Sequence, residues 1–182
     1  MSAEFPVYTT TRLNLRPPKD DDIDTQFTVG SNEEVMRYYG MIPFATREQS
    51  ASEIEWFRTI YREKQGIRWV VTERDSDTYI GDIGYLKWEA KHRRAEIGYK
   101  LDKRHWNKGY MSEALVEVLR HGFTVMGLNR VEALVDPRNP PSIRVLEKRG
   151  FKREGLLRDY EIEYGAPIDV IMLSLLRREW EG

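Results

Sequence analysis

The sequence contains no cysteine, which excludes disulfide bridges, thiolate zinc sites and cysteine nucleophiles. It also lacks an excess of either charge, since 29 Lys and Arg residues face 30 Asp and Glu residues and leave a formal net charge of −1. Proteins that bind nucleic acid through bulk electrostatics carry a strong basic excess. We therefore expect no nucleic-acid partner.

Long apolar runs are missing as well. The longest, from Val170 to Leu176, includes a serine and is far too short to cross a bilayer as a helix. The first residues lack the apolar stretch behind a basic start that a secretory signal peptide requires. These absences predict a cytoplasmic protein with no membrane partner.

Two phosphate-binding signatures are also absent, G-x-x-x-x-G-K-[ST] and G-x-G-x-x-G. The acidic triplet Asp20-Asp21-Asp22 suggests a metal site at first sight. Acidic residues that follow a pair of prolines, however, fit the first turn of a solvated helix better. We predict no metal site.

What the sequence does contain is a series of short strands and helices. Leu13 and Leu15 alternate with polar residues in a first strand, two or three helices follow, and an all-strand block begins at Ile67. A central helix, another strand, a short helix from Ser142 to Arg149 and two final strands complete the order. Hairpin-length polar connections favour antiparallel pairing, with one β–α–β crossover around the central helix.

This order predicts an α+β fold. We expect a single domain over residues 1–182, long enough to bury a core. It is predicted to have one mixed, mostly antiparallel, twisted sheet of about seven strands with helices on both faces.

The stretch from Ala95 to Met126 combines a strand, a turn and an amphipathic helix. The turn at 104–110 leads directly into the helix N-terminus, where unpaired N–H groups and the positive end of the helix dipole attract an anion. Gly109 permits close approach to the backbone, so the stretch predicts a phosphate site. A glycine here equally suits packing of the helix on the strand, and the stretch by itself leaves both interpretations open.

Four passages stand in a characteristic order and spacing: TRLNLRP at 11–17, EIGY at 96–99, WNKGYMSEA at 106–114 and NPPSIRVLEKRGF at 139–151. Together they resemble the GCN5-related N-acetyltransferases (GNATs), and within them the RimJ/RimL-like branch. The resemblance covers nearly the whole chain and implies the GNAT fold. It also implies acetyl-CoA as the cosubstrate and a primary amine as the acceptor.

The resemblance implies a set of cofactor-binding residues on the strand, the turn and the loop before the last helix. They are Tyr99, Leu101, Trp106, Asn107, Lys108, Gly109, Tyr110, Met111, Ser112 and Asn139. The turn would bind the pyrophosphate, the strand at Tyr99 and Leu101 would pair with the pantetheine arm, and Asn139 would contact that arm. Arg144 or Lys148 would reach the adenine end or remain solvated. Met111 stands where the family usually has Gly or Ala, which narrows the approach to the phosphate.

Acetyl transfer needs a proton donor for the departing thiolate and a neutral amine. Many family members use a Tyr as the donor, but its aligned position here is Leu146. Ser142 and Tyr160 are the candidates instead, although Ser142 is equally suited to cap the helix that begins there. The Leu101 N–H is predicted to polarise the thioester carbonyl.

Glu96 is the candidate general base, and a structural salt bridge to Arg93 or Arg94 is an equally good interpretation of it. Glu161 and Glu163, on the predicted loop before the last strand, are alternatives. A dedicated base is not essential for an N-terminal α-amine, because its pKa of about 8 leaves on the order of a tenth neutral at pH 7.

The acceptor is predicted to be a protein N-terminus, such as that of a ribosomal protein, or alternatively a small amine such as a polyamine, an amino acid or an antibiotic. Aromatic residues would line the acceptor groove, namely Tyr38, Tyr39, Trp56 and Trp88. A catalytically weak acetyl-CoA sensor and a purely structural domain are the rival hypotheses. Exposed edge strands and the late apolar strand suggest a homodimer.

Overall fold

The computed structural model describes residues 4–180, which contain one eight-stranded sheet with the order β1-β2-β3-β4-β5-β6-β8-β7. The strands are β1 (Tyr8–Thr9), β2 (Leu13–Arg16), β3 (Ile67–Glu73), β4 (Tyr79–Glu89), β5 (Arg94–Leu101), β6 (Arg130–Val135), β7 (Lys152–Glu163) and β8 (Ala166–Leu176). Neighbouring strands pair antiparallel except β5 and β6, which are parallel. The crossover between these two strands contains the central helix, as we predicted.

The helices are α1 (Ile23–Gly30), α2 (Glu33–Met36), α3 (Arg47–Arg62), α4 (Tyr110–Thr124) and α5 (Pro140–Lys148). Side chains of β5 show that α3 and α4 cover opposite faces of the sheet. Ile97 and Leu101 pack in the main core with Met111 of α4, whereas Lys100 contacts Glu53 of α3. Because successive strand residues point to opposite faces, the two helices lie on either side of β5.

The predicted α+β class is confirmed. The sheet has eight strands rather than about seven because Tyr8 and Thr9 form a two-residue strand beside β2. The apolar residues predicted on α3, including Ile54, Phe57 and Ile60, are buried against the sheet.

Two predicted boundaries differ from the structure. Helix α5 begins at Pro140 rather than Ser142, because proline is tolerated in the first turn of a helix, where its missing N–H has no partner to lose. Strand β7 continues to Glu163, so Glu161 and Glu163 lie on a strand rather than on a loop. The late apolar strand, β8, lies between β6 and β7 and not at an edge of the sheet.

The acidic triplet is also less solvated than predicted. Asp22 is 2% exposed and forms an ion pair with Arg16 at 2.6 Å. The residues around it form a 3-10 turn, Asp20–Asp22, before α1 begins. Across residues 4–180, no group of three or more His, Asp or Glu side chains could hold a metal ion, and no helix is long and apolar enough to cross a membrane.

Candidate active site

Strands β5 and β6 pair only at their start. The parallel ladder covers Arg94 to Glu96 on β5 and Arg130 to Glu132 on β6. Strand β5 keeps its other partner, β4, as far as Leu101. The edge of β5 that faces β6 is therefore open over residues 97–101.

Backbone groups of alternate residues face this open edge. The Asp102 N–H donates to the Ile80 carbonyl of β4 at 2.8 Å. Because successive residues direct their backbone groups to opposite edges, those of Leu101 and Tyr99 face away from β4. The Leu101 carbonyl accepts a hydrogen bond from the Trp106 indole N–H at 2.7 Å, which agrees with this direction. The edge thus offers the Tyr99 and Leu101 N–H groups to an extended ligand.

The gap between the strands opens into a cleft of about 750 Å³. Strand β5 and the turn after it form one wall, and the end of β6 with the first turns of α5 forms the other. Tyr38, Tyr39 and Trp56 line the end covered by α2 and α3. Trp88, also predicted for the acceptor groove, packs against the main core instead.

The turn between β5 and α4 reverses the chain through two residues with positive φ, Asn107 (+58°) and Gly109 (+78°). Gly109 is the N-cap of α4, and no described side chain caps this helix end. The first helical bond runs from the Glu113 N–H to the Gly109 carbonyl at 3.0 Å. The preceding N–H groups, at 110–112, have no acceptor within the helix and are available to an anion.

Arg12, which precedes β2, stabilises this turn through hydrogen bonds to the turn and to the first residues of α4. Its backbone N–H and Nε both donate to the Glu113 carboxylate, at 2.8 and 2.7 Å, and Nη1 donates to the Lys108 carbonyl at 2.8 Å. The guanidinium carbon also lies 4.6 Å from the centre of the Tyr110 ring. Because Glu113 belongs to the first turn of α4, this pairing also neutralises a carboxylate next to the predicted phosphate site.

Two residues of the first turn of α4, Met111 and Ser112, line the cleft but are largely buried. Met111 is 7% exposed and packs in the main core. The Ser112 hydroxyl accepts two hydrogen bonds from the Arg149 guanidinium, at 3.1 and 2.7 Å. Arg149 therefore brings a positive charge to the helix end that sequence reasoning did not assign.

Asn139 and Ser142 lie at the start of α5, across the cleft from β5. The N-cap is Asn139, whose side-chain oxygen accepts from the Ser142 N–H at 3.3 Å, so the capping role considered for Ser142 belongs to Asn139. This leaves the Asn139 side-chain NH₂ to contact a ligand. The Ser142 hydroxyl lies 2.8 Å from the Tyr99 hydroxyl. Burial raises the pKa of Tyr99 to about 12, with a smaller opposing effect from the Ser142 hydrogen bond, so Tyr99 stays protonated near neutral pH.

Glu96 lines the cleft on the α3 face of β5. Its salt-bridge partner is Lys87, at 2.8 Å, rather than Arg93 or Arg94. The neighbouring hairpin contributes Glu161 and Glu163 to the cleft, and burial raises the pKa of Glu163, with Asp136 adding to the effect. The Tyr160 side chain is 51% exposed and does not line the cleft.

A cluster of buried charged residues lies against β5 on the same face. We call it the buried ion cluster; it consists of Glu53, Arg68, Asp82 and Lys100. Arg68 donates to Asp82, and Lys100 lies 2.5 Å from Glu53 and 3.4 Å from Asp82. Although burial opposes ionisation of Asp82, Lys100 and Arg68 outweigh it and hold its pKa below the usual value. Tyr39 joins the cluster by accepting a hydrogen bond from Arg68 at 2.8 Å.

Residues 12–152 match the family model described as "Acetyltransferase (GNAT) domain". The chain is 43% identical to "Uncharacterized N-acetyltransferase YoaA" of Bacillus subtilis (strain 168), over 95% of this chain and 98% of that protein. It belongs to the GNAT acetyltransferases.

Other relatives agree with this assignment. "Putative ribosomal N-acetyltransferase YdaF" of Bacillus subtilis (strain 168) is 38% identical over 93% of each chain. The solved structure "Mycobacterium smegmatis RimJ in complex with CoA-disulfide" superposes with a TM-score of 0.84 at 25% identity, covering 93% of this chain and 84% of that one. The protein is thus an N-acetyltransferase of a family that uses acetyl-CoA, and its sheet is the GNAT sheet.

In this acetyltransferase, nine of the ten predicted cofactor residues line the cleft; the exception is Lys108. The turn supplies Trp106, Asn107, Gly109 and Tyr110 to the cleft lining, and Asn139 stands opposite. Sequence reasoning missed the buried ion cluster and Arg12. For Arg12 the sequence holds a partial signal, because Arg12 and Glu113 both lie in passages that carry the family resemblance and they form an ion pair in the structure.

Proposed function

We propose that this acetyltransferase transfers an acetyl group from acetyl-CoA to an N-terminal α-amine of a protein. The observation that carries the acetyl-CoA part of the proposal is the open edge of β5 next to the uncapped N-terminus of α4. An extended amide can pair with the first, and a pyrophosphate can accept hydrogen bonds from the second. Both features converge on one cleft.

The residues present fit acetyl-CoA. Gly109 adopts a left-handed conformation and has no side chain, so a phosphate can approach the backbone of the turn closely. The N–H groups at 110–112 are donors with no acceptor within the helix. Tyr99 and Leu101 would bind the pantetheine arm through their backbone, and the Asn139 NH₂ would contact it from α5. When bound, the cofactor supplies an activated acetyl thioester.

Tyr99 and Ser142 fit the role of proton donor together. The family's donor position, Leu146, is buried and apolar, whereas the Tyr99 and Ser142 hydroxyls form a hydrogen-bonded pair in the cleft. Ser142 Oγ would give its proton to the departing thiolate sulfur and recover one from the Tyr99 hydroxyl, which in turn would regain a proton from water. A β5 tyrosine thus replaces the helix tyrosine that the sequence lacks.

Glu96 is the proposed first acceptor of the amine's proton, through water. Its ion pair with Lys87 holds the carboxylate at the wall of the cleft. The demand on this base is small for an α-amine, since about a tenth is already neutral at pH 7. The name of the YdaF relative supports an acceptor on ribosomal proteins, and the RimJ structure supports the same branch.

A thiol-release assay tests the proposal. Acetyl-CoA and the protein are incubated with short peptides that carry a free N-terminus, and with the same peptides N-acetylated as controls. We expect thiol release with one class of free peptides, and a loss of at least roughly tenfold in kcat for Ser142→Ala because a positioned general acid contributes about 10²–10⁴-fold. Release that survives Ser142→Ala would transfer the donor role to Tyr99 or to water, since Tyr160 does not line the cleft.

A small amine remains the second candidate acceptor. Glu161 and Glu163 line the cleft and would suit a second cationic group, as in a polyamine. The same assay with spermidine and an aminoglycoside decides between the candidates. Turnover confined to these amines would replace the α-amine proposal, and cofactor binding without any turnover would support a sensor.

A further inference from the structure

Glu53 is a buried carboxylate with only one of its oxygens in use. The side chain is 5% exposed, on the face of α3 that packs against the sheet. Its Oε2 accepts hydrogen bonds from Lys100 Nζ at 2.5 Å and from Gln26 Nε2 at 2.6 Å. Its Oε1 has no hydrogen-bond partner among the described residues. A buried carboxylate oxygen without a partner is costly, so it points to a group that binds there.

The buried ion cluster reaches the cleft at Gly98. Arg68 Nη1 donates to the Gly98 carbonyl at 3.0 Å, and a Cβ at Gly98 would lie 3.1 Å from the same nitrogen. Gly98 therefore leaves space beside the open edge of β5 that any side chain would fill. Glu53, Arg68, Gly98 and Lys100 all line the cleft.

We propose that Glu53 Oε1 accepts a hydrogen bond from the amino group of the acceptor and so holds the nucleophile beside Gly98, between α3 and β5. This inference rests on the proposed function, because it assigns a residue to the acceptor half of the same cleft. The other unpartnered atom of the cluster, Arg68 Nε, is a donor and cannot fill this role.

The charges around Glu53 indicate which form of the amine binds. Arg68 and Lys100 balance Glu53 and Asp82, so a third cation in the cluster would find no free negative charge. A neutral amine still donates an N–H to Oε1 and keeps its lone pair for attack. Burial raises the pKa of Glu53, against a smaller opposing effect from Lys100, which agrees with a carboxylate surrounded by little water. The site thus favours weakly basic α-amines over the more basic amines of polyamines.

The substitution Glu53→Gln tests this role with little disturbance to packing. Lys100 and Gln26 both donate to the Oε2 position, so they will hold the amide oxygen of the substituted side chain there. The amide NH₂ then occupies the Oε1 position and presents a donor to the amine in place of an acceptor. We expect KM for the free-N-terminus peptide to rise at least tenfold, with KM for acetyl-CoA unchanged within a factor of two.

Glu55→Gln is the matched control, because Glu55 lies on the same helix with a side chain 58% exposed. We expect it to leave both KM values as in the wild type. Glu53→Asp is a second variant, which keeps the carboxylate but shortens the side chain by one methylene. We expect its peptide KM to lie above that of the wild type and below that of Glu53→Gln. Thermal unfolding of each variant, with and without CoA, shows whether the fold and the cofactor site are intact.

Three results would overturn the inference while leaving the proposed function in place. They are an unchanged peptide KM in Glu53→Gln, an equal rise of both KM values, and a peptide KM that Glu53→Asp raises as much as Glu53→Gln does. If Glu53→Gln does not fold, the decision rests on Glu53→Asp, whose peptide KM must rise alone. Absence of turnover by the wild type with every peptide would instead overturn the proposed function itself.

Discussion

The proposed cofactor end and the proposed acceptor end of the cleft are built in opposite ways. The cofactor end is nearly continuous in sequence, from β5 through the turn to the first residues of α4, and it offers mainly backbone groups. The acceptor end is assembled from α3, β3, β4 and β5 and depends on buried charged side chains. The cofactor end can therefore tolerate changes of side chain, whereas at the acceptor end each change leaves a charge without its partner.

The largest expected effect follows from Asp82→Asn. Asp82 is fully buried and is ion-paired with both Arg68 and Lys100, so its neutralisation leaves two buried cations with one remaining carboxylate. We expect a loss of about 3–5 kcal/mol in the free energy of unfolding. Urea denaturation measures it, and Asp75→Asn, in the exposed connection between β3 and β4, is the control expected to match the wild type.

An Asp82→Asn protein as stable as Asp75→Asn would show that the cluster is not strongly coupled. The contrast between the two ends of the cleft would then lose its energetic basis.

The next effect concerns the cofactor end, through Gly109→Ala. The alanine must adopt a φ near +78°, which is unfavourable for a residue with a side chain. Its Cβ also stands at the N-terminus of α4, where a phosphate needs close access. We expect the dissociation constant of acetyl-CoA, measured by calorimetry, to rise by roughly tenfold or about 1.4 kcal/mol. Gly165→Ala is matched to it, since Gly165 has φ +79° and no described atom within 4 Å of the new Cβ.

Gly165→Ala should lose stability to a similar degree but bind acetyl-CoA normally. Equal cofactor affinities of the two variants would contradict a backbone phosphate site at this turn.

A smaller effect is expected for Arg12→Gln. Arg12 contacts the turn through Glu113, Lys108 and Tyr110, but its side chain is 43% exposed and its ion pair is screened by solvent. We predict a rise of roughly threefold in the acetyl-CoA dissociation constant, because pairs of this exposure contribute about 0.2–1 kcal/mol. A double-mutant cycle with Glu113→Gln should show that the two changes are not additive.

Additive effects of Arg12→Gln and Glu113→Gln would mean that Arg12 acts on the cofactor by charge alone. Its contact with the turn would then be incidental.

The smallest expected effect is that of Glu96→Gln. For an α-amine acceptor we expect kcat/KM at pH 7 to fall by no more than about threefold, because about a tenth of the amine is already neutral. The remaining activity should increase with pH up to about 8, the reference pKa of an α-amine. A loss of a hundredfold would instead identify Glu96 as an essential base and would favour an amine as basic as lysine.

The same contrast explains what the sequence could predict. The turn at 104–110 and Gly109 were predictable because the strand, the turn and the helix N-terminus that form the site are consecutive residues. The register that brings Lys100 beside Glu53 depends on the packing of α3 against the sheet, which no local pattern specifies. Glu96 illustrates the limit: its carboxylate was singled out, but its partner, Lys87, comes from the neighbouring strand rather than from Arg93 or Arg94.

Residues predicted from the resemblance fall between these cases. Asn139 and Ser142 were assigned to the site, but their hydrogen bond and the approach of Ser142 to Tyr99 depend on how α5 docks beside β5. Asn139 rather than Ser142 caps α5, because Pro140 and Pro141 lie within the first turn of this helix. The acceptor class and the homodimer remain predictions.

The position of β8 between β6 and β7 has a consequence for synthesis on the ribosome. Strand β7 emerges before β8, yet its only neighbour among the described strands is β8, and β8 is also what connects it to β6. Until β8, which ends at residue 176, has left the exit tunnel, no strand links β7 to β6. The nascent chain must therefore hold β7 unpaired, and it completes its fold only after translation of β8.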